Sequence, residues 1–188
     1  MDDRRLLDLG AELFARYAYD ELSMAEIARE AGISKALLYH YFPGKQAYFA
    51  ATLEDKAAEL ARLTEPDATL PPVEQLTGSL DAFLGWVEVN AAAYGKLVRS
   101  AGVIPEVREV VDRVRDTTSR RILQRLDPHG ESGPALRTAV RAWLWFMDGA
   151  ILDWVEHGDM TREELRNLLL GTLLGAITAS GAGPALSG

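Results

Sequence analysis

Apolar residues recur along this chain every three or four positions, the spacing of one face of an α-helix. In the first segment, for example, Leu6, Leu9, Leu13 and Tyr17 fall on a single stripe. The spacing predicts an all-α fold of about nine helices and no strands. The predicted helices begin near residues 3, 24, 35, 45, 73, 94, 105, 134 and 161. Residues 127–133 are predicted to form a loop, and residues 181–188 are expected to fray.

The clearest local signals define two short helices joined by a tight turn. Ser23 and Glu26 form a capping box that starts the first of these helices. Gly32 supplies the left-handed position that ends it, and Ser34 caps the next helix. Two short helices around a glycine-containing turn predict a helix-turn-helix motif.

The second helix of this motif divides into two faces. At 100° per residue, an arc of about 140° holds a cation, a phenol, an imidazole and a small residue: Lys35, Ala36, Tyr39 and His40. The opposite arc holds the apolar set Leu37, Leu38, Tyr41 and Phe42. This division is typical of a recognition helix, whose outward side chains contact bases and phosphates. An ordinary amphipathic helix in a protein-interaction domain is the alternative.

The segment from Leu9 to Phe49 resembles the N-terminal domain of the tetracycline-repressor (TetR) family of bacterial transcription regulators. The residues that carry this resemblance are Phe14, Met24-Ala25-Glu26-Ile27-Ala28, Ala31-Gly32-Ile33-Ser34-Lys35, Leu38-Tyr39-His40-Tyr41-Phe42 and Lys45. The resemblance implies a helix-turn-helix DNA-binding domain over residues 1–48, followed by a helical ligand-binding and dimerisation domain over residues 49–188. It also implies a homodimeric repressor that binds double-stranded operator DNA and is released by a small-molecule effector.

The same resemblance assigns the DNA contacts. They are expected at Ser23, Met24, Ala25, Ser34, Lys35, Ala36, Leu37, Tyr39, His40 and Lys45. This chain departs from the family where Leu37 replaces a frequent phosphate-binding threonine and Ala25 replaces a longer polar residue. Position 36 is alanine where glycine or proline is common. Lys45 stands at a helix N-terminus, where the macrodipole disfavours a cation unless a phosphate binds there too.

Charge and composition bear on two questions, whether the chain can bind DNA and in which compartment of the cell it acts. The chain carries a net charge of −8, but positions 29–45 hold Arg29, Lys35 and Lys45 against Glu30 alone. Because phosphate neutralisation is local, this segment remains compatible with DNA. The chain has no cysteine, and its first residues lack the apolar run of a signal peptide. We expect a cytoplasmic protein without a membrane-spanning helix.

The last helix is apolar nearly all round, so both of its sides need to be covered. We expect a homodimer through the last two helices, with the interface at Leu165, Leu169, Gly171, Leu173 and Gly175. The resemblance implies the same four-helix interface. The alternative is that one chain covers both sides by itself.

Aromatic residues concentrate in the middle helices and could line a cavity for an apolar or aromatic effector. The candidate pocket residues are Phe83, Trp86, Tyr94, Trp143, Phe146, Met147 and Asp148. Core packing is the alternative for each aromatic residue. Asp148 has no cation among its neighbours on its own helix, so it could bind a ligand group, meet an arginine across a dimer, or be hydrated.

The sequence contains no recognisable set of catalytic residues. The three histidines, His40, His129 and His157, lie far apart in sequence, and no phosphate loop, nucleophile elbow or metal-spaced cluster is present. We therefore expect no catalytic site, no metal and no cofactor. A helix-turn-helix scaffold for protein interaction, or for DNA binding without an effector, is the alternative function.

Overall fold

The computed structural model describes residues 3–127, 129–130 and 133–181. Within these ranges every regular element is an α-helix, which confirms the predicted fold class. The eight helices are α1 (Asp3–Arg16), α2 (Met24–Ala31), α3 (Lys35–Tyr41), α4 (Lys45–Leu63), α5 (Pro72–Val103), α6 (Pro105–Leu126), α7 (Gly133–His157) and α8 (Arg162–Ala179). None of these helices is long and apolar enough to cross a membrane. The loop predicted at 127–133 is described only in part, and residues 182–188 lie outside the described ranges.

The predicted fifth and sixth helices form one continuous element with a bend. Asn90 departs from helical geometry at φ −113° and ψ 20°, while α5 continues on both sides of it. The Asn90 side-chain amide donates to the Trp86 carbonyl oxygen at 2.8 Å, where a backbone N–H would bond in a regular helix. A side chain that takes over an i−4 carbonyl bends a helix without ending it. For this reason the described residues contain eight helices instead of nine.

The chain forms two compact units. The first contains the residues up to Leu60 together with Ala92–Val111, and the second contains Ala61–Ala91 together with the residues from Asp112 onward.

A first hydrophobic cluster of this unit lies beneath the three N-terminal helices and the start of α4. Its buried residues are Leu6, Leu13, Leu22, Met24, Ile27, Ala28, Leu38 and Tyr48. The Tyr48 hydroxyl donates to the Leu6 carbonyl oxygen at 2.6 Å, and burial raises the pKa of Tyr48 to about 12. This buried hydrogen bond fixes α4 against the first helix.

A second cluster in the same unit joins α4 to the C-terminal part of α5 and the start of α6. It is formed by Phe49, Ala101, Val107, Val110 and Val111, with Phe14 and Tyr19 packed against it. The Phe14 ring meets Phe49 edge-on, with 4.8 Å between the ring centroids. Such edge-to-face pairs are a favoured aromatic geometry.

In the second unit, α7 packs along α8 through fully buried side chains of both helices. The α8 contribution is a stripe at i, i+4, i+8 and i+12: Leu165, Leu169, Leu173 and Ile177. The indole N–H of Trp143 donates to the Leu169 carbonyl oxygen at 3.0 Å, and that of Trp154 donates to the Met160 carbonyl oxygen at 2.7 Å. Each buried tryptophan therefore has its polar atom satisfied.

Ion pairs add a second link to α8, this time from α5. Arg162 contacts Asp81 at 3.4 Å and Glu88 at 3.0 Å, and Arg166 contacts Asp81 at 3.3 Å. Gly85 lies between the two acids, and a Cβ atom there would be 3.1 Å from the Arg162 guanidinium nitrogen. The glycine therefore allows Arg162 to reach both carboxylates.

We predict that Gly10→Ala destabilises the first unit. A Cβ atom at Gly10 would overlap the Thr52 hydroxyl oxygen and would lie 2.9 Å from the Tyr48 hydroxyl oxygen. Overpacking of this kind costs about 1–3 kcal/mol of unfolding free energy. Urea denaturation followed by circular dichroism measures the change.

Gly78→Ala is the matched control, because a Cβ atom at this exposed helical position meets nothing within 4 Å. Alanine there is expected to raise the unfolding free energy by about 0.5–1 kcal/mol through helix propensity. Equal unfolding free energies for the two variants would contradict the close packing described around Gly10.

Candidate nucleic-acid interface

The predicted capping box sets the start of α2. The Ser23 hydroxyl oxygen accepts from the Glu26 backbone N–H at 3.2 Å, and the Glu26 carboxylate accepts from the Ser23 backbone N–H at 2.8 Å. The pKa of the Glu26 carboxyl is lowered below its ordinary value, first by the interaction of the carboxylate with the Ser23 hydroxyl and then by its hydrogen bond with the Ser23 backbone N–H. Two otherwise unpaired backbone donors are satisfied in this way.

The turn between α2 and α3 needs its glycine. Gly32 adopts φ 68° and ψ 30°, a left-handed conformation that costs glycine little. The next residue, Ile33, donates its N–H back to the Ala28 carbonyl oxygen at 3.0 Å. Ser34 then caps α3 by accepting from the Leu37 N–H at 3.1 Å. The turn and both caps follow the sequence prediction.

Helix α3 buries one residue completely and exposes most of the others. Leu38 is fully buried, and Tyr41 packs partly buried against the same core together with Phe42, which follows the helix. The exposed residues are Lys35, Ala36, Leu37, Tyr39 and His40. The assignment of Leu37 to the inward arc was wrong, because within this short helix only Leu38 and the partly buried Tyr41 pack against the core. The outward surface is wider than the predicted 140° arc and includes a leucine.

Met24 is not on this surface, although it was predicted to contact DNA. Its side chain is 6% exposed and packs in the core with Ile27 and Ala28. The three positions lie on one apolar stripe of α2, so their spacing directs Met24 inward. Its neighbours Ser23 and Ala25, at the start of α2, are exposed, so both remain candidates for a DNA contact.

Lys45 is held by the protein itself. Its ammonium donates to the Tyr19 carbonyl oxygen at 2.8 Å and lies 4.3 Å from the centroid of the Tyr19 ring. The expectation that Lys45 makes sense only with a phosphate is wrong, because these contacts compensate for its position at the start of α4. No local pattern indicated Tyr19 as its partner, since the two residues are separated by 26 positions.

The exposed surface of α3 combines cationic, hydrogen-bonding and apolar groups. Lys35 lies at the first turn, 5.7 Å from the ring centroid of Tyr39. Arg29 on α2 is also highly exposed, with Glu30 at 3.5 Å as its partner. Exposed ion pairs of this kind are weak, so the guanidinium can exchange its partner for a phosphate.

The residues predicted for the dimer interface separate into two groups. Leu165, Leu169 and Leu173 are at most 1% exposed within the single chain, where they pack in the second unit. Gly171 and Gly175 are exposed, and nothing lies within 4 Å of a Cβ atom at either position. The three leucines were therefore wrongly assigned to the partner, because α7 already covers that side of α8.

The predicted pocket residues differ in burial and belong to different units. Phe146 is 42% exposed, and Trp143 is buried with its N–H bonded to α8. Phe83, Trp86 and Met147 are partly buried in the second unit, whereas Tyr94 is buried in the first. A groove of about 440 Å³ between the end of α6 and the start of α7 contains none of these residues.

Asp148 has a partner on another helix of its own chain. Its carboxylate accepts from the Arg115 guanidinium at 2.9 and 2.6 Å, and both side chains are mostly buried. The same guanidinium stacks on the Trp145 ring, 4.2 Å from its centroid. Asp148 therefore acts as an ion-pair partner between α6 and α7, and none of the three predicted roles describes it.

Among the residues that the structure describes, no group of three or more histidine or acidic side chains could hold a metal ion.

Comparison with known proteins matches both parts of the chain. Residues 6–52 match the family model described as "Bacterial regulatory proteins, tetR family", and residues 72–175 match the model "Tetracyclin repressor-like, C-terminal domain". The second match alone covers more than half of the chain.

Individual relatives agree with the two family models. The transcriptional regulator UidR of Escherichia coli K12 is 28% identical, over 94% of this chain and 93% of its own length. A tetR-family regulator of Streptomyces coelicolor superposes with a TM-score of 0.76 at 28% identity, over 98% of this chain and 86% of the other. The flavonoid-responsive regulator FrrA superposes with a TM-score of 0.66 at 25% identity, over 93% and 96% of the two chains.

We predict that Lys45→Met lowers the unfolding free energy by about 1–2 kcal/mol, because it removes a charge-assisted hydrogen bond but keeps the apolar stem. Lys35→Met is the control, since an exposed lysine without such a bond is expected to change stability by less than about 0.5 kcal/mol. Thermal or urea unfolding of both variants tests the prediction. Equal stabilities would indicate that the Tyr19 contact contributes nothing.

Proposed function

The chain belongs to the TetR family of bacterial transcription regulators, and from this premise we propose a homodimeric repressor that binds double-stranded operator DNA and is released by a small-molecule effector. Residues 1–48 supply the DNA-binding part, and residues 49–188 supply the effector and dimer functions. Because such a repressor acts on the chromosome, we place it in the cytoplasm. No catalytic step is part of the proposal.

The observation that carries the proposal is the outward surface of α3. Leu38 anchors this helix while Lys35, Ala36, Tyr39 and His40 remain exposed on it. The ammonium of Lys35 can donate to guanine O6 and N7 in the major groove. Tyr39 and His40 can donate to phosphates or to a neighbouring base.

Exposed apolar side chains on α7 and α8 support the dimer. Trp145 and Phe146 are 59% and 42% exposed on α7, and Leu168 is 44% exposed on α8. Leu168 shares its helix face with Gly171 and Gly175, at i, i+3 and i+7, and the two glycines allow close approach of a second helix. Exposed apolar groups of this size usually mark an interface. Two recognition helices joined in this way read half-sites about one helical turn apart.

The effector part of the proposal rests on the family and on FrrA, whose name describes it as flavonoid-responsive. An effector releases the repressor when it binds the DNA-incompetent state more tightly than the competent one. A coupling free energy of about 1–3 kcal/mol suffices for a 5- to 150-fold change in operator affinity.

One observation favours a second candidate, DNA binding without an effector. The residues predicted to form the pocket belong to different compact units, and Asp148 is already paired with Arg115. Mass spectrometry of small molecules that co-purify with the protein separates the two functions. A bound molecule whose addition lowers operator affinity supports the effector, and constitutive binding supports the second candidate.

Selection from random DNA, followed by measurement of binding at several salt concentrations, tests the DNA-binding function. We expect two symmetric half-sites, and Lys35→Ala is predicted to weaken binding to the selected operator by roughly 1–3 kcal/mol while random DNA is affected less. An equal loss on both DNAs would reduce Lys35 to a phosphate contact. A failure to select any sequence would contradict the proposed function itself.

The double substitution Phe146→Glu with Leu168→Glu is predicted to convert the dimer into a folded monomer. Both side chains are exposed in the single chain, so the charges become costly only when a partner buries them. Light scattering gives the mass and circular dichroism gives the fold. Val89→Glu is the control, because Val89 is 86% exposed on α5, which is not one of the two proposed interface helices. A dimer that survives the double substitution would place the interface elsewhere.

A further inference from the structure

Leu37 is the large apolar side chain in the first turn of the proposed recognition helix. It is 39% exposed, whereas Leu38 beside it is completely buried. The core of the first unit therefore leaves a substantial part of this leucine outside. Removal of an exposed apolar side chain from water by a partner lowers the free energy of the complex.

The position of Leu37 restricts what that partner is. Leu37 follows Lys35 and Ala36 in the first turn of α3, and the N-terminal residues of a recognition helix are those that contact base edges. It also precedes His40 by three residues, so the two side chains are neighbours on the helix surface. If α3 enters the major groove, Leu37 enters with it.

The chemistry of leucine then selects one group in the groove. The side chain offers neither a donor nor an acceptor, so it cannot bind a phosphate or the polar edge of a base. Its backbone N–H is already bonded to the Ser34 hydroxyl oxygen at 3.1 Å, which leaves the apolar tip as the part available to DNA. Among the groups that unmodified DNA presents in the major groove, the apolar one is the C5-methyl of thymine.

We propose that Leu37 is a specificity-determining residue that reads a thymine C5-methyl group in each operator half-site. This inference rests on the proposed DNA-binding function and deepens it. A methyl-sized group removed from water corresponds to about fourfold in affinity for each half-site.

Replacement of single thymines by uracil in the selected operator tests the inference, since uracil keeps the pairing with adenine and lacks only the methyl group. For the unaltered chain, we expect one thymine in each half-site whose replacement weakens binding about fourfold. Leu37→Ala is expected to bind the thymine operator several-fold more weakly and to bind the thymine and uracil operators equally. Leu37→Met retains an apolar side chain of similar reach and is expected to keep the preference for thymine.

Leu63→Ala is the matched control, because Leu63 is an exposed leucine at the end of α4, outside the recognition helix. This variant is expected to show the same uracil penalty as the unaltered chain. If the replacement of thymine by uracil weakens binding equally in the unaltered chain and in Leu37→Ala, another residue contacts the methyl group and the inference is overturned. The absence of a uracil penalty at every thymine would overturn it as well, while leaving operator binding intact. If no DNA is bound, the proposed function fails together with the inference, and this result is distinct from the other two.

Discussion

The burial of Leu38 is the contact on which the DNA-facing surface depends. Helix α3 has only seven residues, too few to be stable in water without tertiary packing. Leu38 fixes it in a core with residues from α1, α2 and α4, and the partly buried Tyr41 adds to that contact. Because one side of the helix is held, the direction of the other side is determined as well. Caps at Ser23 and Ser34 determine where the two helices begin, so the outward residues are positioned by local bonds and by one buried leucine.

The sequence was most informative where structure is decided within a few residues. Helix caps, the left-handed glycine and the helical stripes depend on contacts at i+3 or i+4, and the structure confirms the caps at Ser23 and Ser34 and the left-handed conformation of Gly32. Contacts between distant positions were not predictable. Lys45 finds the Tyr19 carbonyl 26 residues away, and Asp148 finds Arg115 at a distance of 33 residues. The local pattern around either charge does not identify its partner, so the sequence predicted neither the hydrogen bond of Lys45 to Tyr19 nor the ion pair of Asp148 with Arg115.

Helix α8 illustrates a different limit of sequence patterns. When nearly every side of a helix is apolar, periodicity no longer shows which side faces the chain's own core. The structure resolves the ambiguity, because Leu165, Leu169, Leu173 and Ile177 are covered by the same chain while Leu168 stays exposed. Gly171 and Gly175 lie on the same exposed face as Leu168, so two positions of that face carry no side chain. The sequence predicted that both sides of α8 need to be covered, but it assigned Leu165, Leu169 and Leu173 to the side that a partner would cover.

The charge distribution limits how this chain can recognise DNA. With a net charge of −8, the chain as a whole is repelled by the phosphate backbone, and only a few cations near α3 oppose that repulsion. One of these, Lys45, already donates a hydrogen bond within the protein. We therefore expect a modest sequence-independent attraction, so that operator affinity depends more on contacts with the bases. Because non-specific affinity follows the number of neutralised phosphates, weak phosphate binding makes a modest set of base contacts sufficient for discrimination. For an acidic chain of this kind we expect specificity to depend on a small number of base contacts, and the exposed residues Lys35, Tyr39 and His40 of α3 are the candidates for them.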